Sequence, residues 1–92
     1  MVQTMTSVSH PLRIDAVTTS VGGLIGMTFC PGKKQVAALS GNWDRDLGVD
    51  LDYIRDWGAV AVVTLMEEHE LARFKVGGIG RAVSQRGMWP GC

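Results

Sequence analysis

The amino-acid sequence predicts an α/β domain with an incomplete, partly parallel sheet, formed by an N-terminal hairpin and a buried strand with flanking helices. Three observations lead to this class: two apolar stretches joined by a Gly-Gly pair, an amphipathic helical pattern over residues 44–58, and a β-branched run over residues 59–66. Such a run is typical of a strand buried on both faces of a parallel sheet. The last helical segments should lead into a further strand, and no strand pattern follows them, so the sheet is expected to be unfinished.

The first two strands are predicted on either side of Gly22-Gly23. Residues 14–21 carry β-branched side chains in partial alternation, and residues 24–29 form a second apolar stretch. A Gly-Gly pair between two such stretches favours an antiparallel hairpin. Pro31-Gly32 marks another turn, and residues 35–42 are expected to form an irregular connection.

The clearest helical pattern lies in the middle of the chain. Acidic residues precede it, and Asn42 or Asp44 is expected to cap its N-terminus. Gly58 is a natural end to the helix. The apolar residues that recur at helical spacing are Leu47, Leu51, Ile54 and Trp57.

Two shorter helices are predicted after the β-branched run. The first begins at the acidic residues 67–70, and Gly77-Gly78 ends it. The second spans residues 79–85 and ends at Gly87.

The composition limits both the size and the partners of this domain. The 92 residues allow one core, and nine basic and nine acidic side chains give a formal net charge of zero. An overall basic charge that would favour nucleic acid or an anionic membrane is therefore absent. The longest apolar run is far shorter than the ~20 residues that span a bilayer, and residues 1–10 lack a signal-peptide pattern. We expect a cytoplasmic protein that binds neither nucleic acid nor a membrane.

Four segments together resemble a known family: LIGMTFCPGKKQ at 24–35, WDRDLGVDLDYIRDWGA at 43–59, VVTLMEEHEL at 62–71 and VGGIGRAVSQRGM at 76–88. They resemble the N-terminal half of dual-specificity, cyclin-dependent-kinase-inhibitor-type members of the protein tyrosine phosphatase family. The similarity covers about two thirds of the chain. It implies a phosphatase-like α/β half-domain at residues 13–88, preceded by a flexible arm at 1–12 and followed by a divergent tail at 89–92.

The same resemblance implies that the chain is not an enzyme. Family members continue into a strand that leads to a general-acid Asp, and then into a loop with a Cys and an Arg separated by five residues. A low-pKa thiolate attacks phosphorus, the Arg clamps the phosphoryl oxygens, and the Asp protonates the leaving oxygen. No residue here stands at a matching position. We therefore expect no catalytic residues and no phosphatase activity.

Neither cysteine fits the missing nucleophile. The residue six positions after Cys30 is Val36 and not an arginine, and the position at the end of an apolar stretch favours a buried structural thiol. Cys92 is the last residue of the sequence and is expected to be an exposed thiol. Two cysteines and two histidines do not make a convincing zinc site, and no metal or cofactor is predicted.

The segment KVGGIGR at residues 75–81 is a candidate anion-binding site. Glycine-rich backbone before a helix, flanked by two basic side chains, can bind phosphate or a phosphoprotein. A lysine stands where the family has its nucleophile, so covalent catalysis is not expected. The alternative is a helix-to-helix turn whose glycines allow tight packing. The candidate residues are Lys75, Gly77, Gly78, Gly80 and Arg81.

The sequence favours one function and leaves two alternatives open. An unfinished sheet leaves an unpaired edge and uncovered apolar surface, which two copies can cover about a two-fold axis, so a homodimer is expected. The chain is interpreted as a truncated or frameshifted, non-catalytic phosphatase-like protein. The alternatives are a phosphate- or phosphoprotein-binding module and one part of a split tyrosine phosphatase.

Overall fold

The computed structural model describes residues 4–38 and 41–91, and Cys92 lies outside them. In these ranges the chain is a small mixed α/β globule with short sheets and short helices. The elements in chain order are β1 Thr4–Met5, β2 Asp15–Thr18, β3 Leu24–Met27, β4 Lys34–Ala38, β5 Gly41–Asp44, α1 Leu47–Trp57, β6 Ala61–Val63, α2 Glu68–Arg73, α3 Ile79–Gln85 and β7 Trp89–Gly91.

The predicted N-terminal hairpin is confirmed. β2 and β3 pair antiparallel in a register that places Val17 opposite Ile25, and Gly22 in the turn adopts a φ of 90°. Every residue of both strands is exposed. The hairpin lies against the end of α1 through Gly26, where a Cβ atom would come within 3.0 Å of the Trp57 ring.

The expectation of an irregular connection at residues 35–42 is wrong. β4 and β5 pair antiparallel, with a register shift between Gln35 and Ala38, and β1 adds to β5 in parallel. The Lys34 ammonium donates across the pair to the Asp44 carboxylate at 2.8 Å. Such cross-strand contacts depend on pairing and leave no periodic pattern in the sequence, which is why periodicity missed these strands.

Residues 4–12, where a flexible arm is expected, make defined contacts. Met5 and Leu12 are buried, and Leu12 is part of the hydrophobic core. The Ser7 hydroxyl accepts a hydrogen bond from the Asp46 backbone N–H at 2.8 Å, directly before α1. These contacts hold the segment although its composition is polar.

The core lies between α1 and α3. Its buried members are Leu12, Leu51, Ile54, Ile79, Val83 and Met88. Asp46 caps α1, because its carboxylate accepts from the Val49 N–H at 2.9 Å; the prediction of Asn42 or Asp44 as the cap is wrong, since both residues belong to β5. Gly58 ends α1 in the left-handed conformation with a φ of 108°, as predicted.

The β-branched run at residues 59–66 is only partly a strand, and it is not buried on both faces. β6 spans three residues, and Val60 and Leu65 flanking it are 82% and 92% exposed. β7, within the segment expected to be a divergent tail, pairs with β6 in parallel. The Trp89 N–H donates to the Val60 carbonyl at 2.9 Å, and the Thr64 N–H donates to the Gly91 carbonyl at 2.8 Å. One edge of β6 therefore has a neighbour that the sequence did not predict.

A buried ion pair connects the N-terminal segment, the end of the hairpin segment and the first turn of α1. Arg45 and Asp50 are 0% and 1% exposed, and the guanidinium donates to both carboxylate oxygens, at 2.8 and 3.0 Å. The remaining guanidinium nitrogen donates to the carbonyl of His10 at 2.6 Å. Asp50 also accepts from the Gly32 N–H at 2.8 Å. Both charges are thus paired and hydrogen-bonded, as burial requires.

Replacing Arg45 by methionine should destabilise the protein severely. The substitution Arg45→Met leaves the Asp50 carboxylate buried and unpaired, which costs about 3–5 kcal/mol. A domain of this size has a total stability of that order, so we expect the variant to be largely unfolded. Urea denaturation followed by far-UV circular dichroism measures the loss.

The matched control is Arg55→Met on the exposed side of α1. Arg55 forms ion pairs with Asp52 and Asp56 that remain about half exposed or more. Surface pairs of this kind contribute at most about 1 kcal/mol, so this variant should unfold near the wild-type midpoint. Similar losses in both variants would show that burial of the Arg45 pair does not govern stability.

Candidate functional site

The residues predicted to bind an anion lie at the turn between α2 and α3 and on the first turn of α3. Lys75 is exposed and adopts a φ of 59°, in the left-handed region. Gly77 and Gly78 are exposed, and Arg81 is exposed on α3. The turn is closed by its own hydrogen bonds: the Lys75 N–H donates to Ala72, and the Val76 N–H donates to Leu71 at 2.8 Å. The segment is thus a helix-to-helix turn, as the alternative predicted, but tight packing does not require its glycines, because a Cβ atom at Gly77, Gly78 or Gly80 would meet nothing within 4 Å.

Lys75 lies at the edge of a depression in the surface. It lines a shallow depression of about 510 Å³, which we call the basic cleft, and Arg81 and the three glycines do not line it. The lining residues of the basic cleft are Thr4, Lys34, Gln35, Asn42, Trp43, Asp44, Arg73 and Lys75. Of the five predicted residues, Lys75 alone lines this cleft.

The charges of the basic cleft are partly compensated. Lys34 donates to the Asp44 carboxylate and to the Arg45 carbonyl, both at 2.8 Å. This hydrogen bond, with the charge of Lys34 and more weakly that of Lys75, lowers the pKa of Asp44 below its ordinary value. Within the described ranges Arg73 and Lys75 form no ion pair. Asp44 is thus the one carboxylate among the described lining residues of the cleft, and its short ion pair is with Lys34.

A larger depression of about 870 Å³ lies between the hairpin and β6, and we call it the apolar groove. One wall is formed by residues 24–31, which include β3, and the other by residues 58–66, which include β6. Ile54 and Trp57 of α1 and Ile79 of α3 also line it. None of its described lining residues carries a charge. The sequence reasoning identified both wall segments as strands but did not place them on opposite sides of a groove.

Cys30 lies on the wall of the apolar groove, at the end of the hairpin segment. It is half-buried, and burial raises the pKa of its thiol, an effect that the positive charge of Lys33 partly opposes. A nucleophilic cysteine needs the opposite, a pKa lowered by nearby positive charge or a helix N-terminus. The position agrees with the predicted structural role of this thiol.

Residues important to the structure but missed by the sequence reasoning are Arg45 and Asp50. Arg45 precedes α1 and Asp50 lies in its first turn, so their side chains meet although they are five residues apart. The guanidinium also lies 4.8 Å from the centre of the Phe29 ring. Local periodicity places charged residues on the solvent side by default. No local pattern in the sequence marks the pair, because its other partners, His10 and Gly32, lie far away along the chain.

Comparisons with known proteins identify no relative of this chain: no family model matches, and no curated protein or solved structure gives a match. The similarity to phosphatases noted in the sequence accordingly remains a prediction. Among the described residues, no group of three or more metal-binding side chains comes together. No helix in the described ranges is long and apolar enough to cross a membrane.

Alkylation of Cys30 should be slow at neutral pH. Because burial raises the pKa of the thiol, the reactive thiolate is scarcer than in an exposed cysteine at the same pH. In a Cys92→Ser background, we expect iodoacetamide to modify Cys30 more slowly than it modifies a free cysteine peptide. The rate should continue to rise at pH values where the peptide has already reached its maximum.

Denaturation provides the control for this measurement. In urea the burial is lost, and the rate for Cys30 should approach that of the peptide. A native rate that exceeds the peptide rate at pH 7 would contradict the structural role and indicate an activated thiol.

Proposed function

We propose that this chain is a non-catalytic, phosphatase-like protein of the cytoplasm that works as a homodimer. The observation that supports association is the amount of surface that a single chain leaves uncovered. Its accessible surface is 6263 Å², whereas a compact monomer of 9.9 kDa exposes about 5,200 Å². The excess of about 1,000 Å² is similar to the roughly 800 Å² that each partner buries in a standard interface.

The exposed surface is also of the kind that interfaces cover. Large apolar side chains are exposed along the hairpin and around β6. The formal net charge of zero means that two copies do not repel each other through their overall charge. The most exposed of them are Val21, Leu24, Val60, Leu65 and Trp89.

The absence of catalysis in this proposal rests on chemistry. An activated thiolate, a bidentate Arg and a carboxylic acid must meet around one phosphoryl group. Cys30 has a raised pKa and lies in a groove whose described lining residues bear no charge. The positive charge of Lys33 acts to lower the pKa of this thiol, but burial outweighs it.

Light scattering on a sizing column, under reducing conditions, tests the association. At micromolar concentration we expect a mass of two chains of 9.9 kDa. Because apolar burial drives the contact, the dimer should persist in high salt. A mass of one chain together with cooperative unfolding would refute the proposed dimer.

Activity is measured on the same sample with an aryl phosphate. We expect no turnover above that of buffer, and the same result for Cys30→Ser. Hydrolysis that disappears in Cys30→Ser and persists in Cys92→Ser would show that this thiol is a nucleophile after all.

A second candidate, a phosphate-binding module, is supported by the basic cleft. Arg73 and Lys75 line it and form no ion pair within the described part of the chain. In this case inorganic phosphate at millimolar concentration should shift the backbone amide resonances of residues 73–75, and Lys75→Ala should abolish the shifts. Arg13→Ala is the matched control, because Arg13 is an exposed cation whose ion pair is with Asp15. Unchanged spectra throughout the titration would exclude this function.

A third candidate, one part of a split phosphatase, is supported by the apolar groove. The groove separates two short sheets, and another polypeptide could complete them.

A further inference from the structure

The apolar groove lies between two strands that are each paired on one side only. β3 pairs with β2, and β6 pairs with β7; neither has a second neighbour within the described residues. Both strands contribute to the walls of the groove. A row of unpaired backbone groups on a strand edge is a template for another strand.

The hydrogen-bond pattern shows which backbone groups face away from the existing partners. The Thr19 N–H donates to Gly23 in the hairpin, and the Thr64 N–H donates to Gly91 beside β6. The N–H groups of successive residues point to opposite edges of a strand. In β3 the N–H groups of Leu24 and Gly26 therefore point away from β2. In β6 the N–H groups of Ala61 and Val63 point away from β7. These four amides are available to a new neighbour.

The volume of the groove corresponds to one short strand. A strand rises about 3.3 Å per residue, lies about 4.8 Å from its neighbours and occupies a layer about 10 Å thick, which gives roughly 160 Å³ per residue. The groove, at about 870 Å³, therefore accommodates about five to six residues. This is also the commonest length of a strand in globular proteins.

The chemistry of the groove selects an uncharged occupant. Its described lining residues include no Asp, Glu, Lys, Arg or His. Ile54, Trp57 and Ile79 would lie against any inserted side chains, and a charge buried against them would have no partner. A β-branched or otherwise apolar segment fits these surroundings.

A second copy of this chain does not supply such a segment in its folded form. A strand inserted between β3 and β6 needs both of its own edges free. Each strand in the described ranges already has a neighbour on at least one edge. A second copy would have to open one of its sheets to fill the groove.

We propose that the apolar groove accepts one extended, uncharged segment of another polypeptide, which pairs with β3 on one side and with β6 on the other. The result is a continuous five-stranded sheet in which the new strand is central. This is strand addition to exposed sheet edges, with affinity from main-chain hydrogen bonds and selectivity from side-chain burial. The inference rests on the third candidate function, completion by another chain, and it requires no likeness to a phosphatase.

Hydrogen exchange with a synthetic peptide tests the proposal. The probe is a capped peptide with a central alternating valine–threonine segment of about six residues, the length that the groove accommodates, and a lysine at each end for solubility. Binding should slow amide exchange at Leu24, Gly26, Ala61 and Val63. Slowed exchange at only one pair of these amides would show simple edge addition and would overturn insertion between the two strands.

N-methylated peptides separate the two edges. Methyl groups on alternate peptide nitrogens block hydrogen bonding along one edge of the probe, and the complementary set blocks the other edge. If the strand pairs on both sides, each of the two modified peptides should bind more weakly than the parent. Full binding of either one would contradict the proposal.

A matched pair of variants tests the location. Ile25 and Val17 are cross-strand partners with similar exposure, 54% and 48%, and only Ile25 lines the groove. Ile25→Lys places a charge in the groove and should weaken peptide binding by about tenfold or more. Val17→Lys should change it by less than about twofold, since its side chain lies outside the groove. Equal effects, with both variants folded by circular dichroism, would place the peptide elsewhere.

The mass measurement separates this inference from the proposed dimer. A dimer that still binds the peptide supports both proposals, and a monomer that binds it supports the groove alone. A dimer in which the four amides are already protected without peptide would mean that a second copy fills the groove, which overturns the inference and leaves the homodimer intact.

Discussion

The buried pair of Arg45 and Asp50 is the interaction on which the described structure depends. The guanidinium reaches the carbonyl of His10 as well as the carboxylate, and the carboxylate receives the N–H of Gly32. One ion pair thereby joins the N-terminal segment, the end of the hairpin segment and the first turn of α1. The close approach at Gly32 depends on the absence of a side chain, because a Cβ atom there would lie 2.9 Å from the Leu47 Cα atom at a φ of 71°. Since desolvating two charges is costly, the net contribution of such a pair is small, whereas removal of one partner is strongly destabilising.

Local patterns predicted the elements that local interactions form. Gly22-Gly23 between two apolar stretches marked the hairpin, and the spacing of Leu51 and Ile54 with Gly58 after them marked α1. Elements that depend on distant residues were missed. β4 and β5 are stabilised by pairing with each other and with β1, and β7 is stabilised by pairing with β6. Their own sequences therefore show no periodicity that predicts a strand. The polar composition of the N-terminal segment likewise concealed the buried Met5 and Leu12.

The candidate sites also differ in how far the sequence could predict them. In the sequence, a glycine-rich stretch between two cations resembles an anion-binding loop. In the fold, Lys75 lines the basic cleft, and Arg81, on α3, does not line it. The apolar groove, in contrast, needs three-dimensional information, because its two walls come from segments at residues 24–31 and 58–66 that are distant in sequence. What the sequence did indicate is that residues 59–66 require cover. The structure adds that β7 covers one edge of β6 and that residues 58–66 line the groove.

The parallel pairings also bear on how the chain folds. β1 pairs Thr4 with Asn42, and β6 pairs Ala61 with Trp89, so neither of these parallel pairings can form until distant parts of the chain have met. Contacts of this kind close large loops before any pairing energy is gained, which makes folding slow relative to helical proteins of the same size. During that interval the segment around Val60–Leu65 is β-branched, uncharged and without a neighbour. The rate at which α3 brings β7 next to β6 therefore sets how long this segment stays exposed. It also sets the tendency of the chain to aggregate during synthesis.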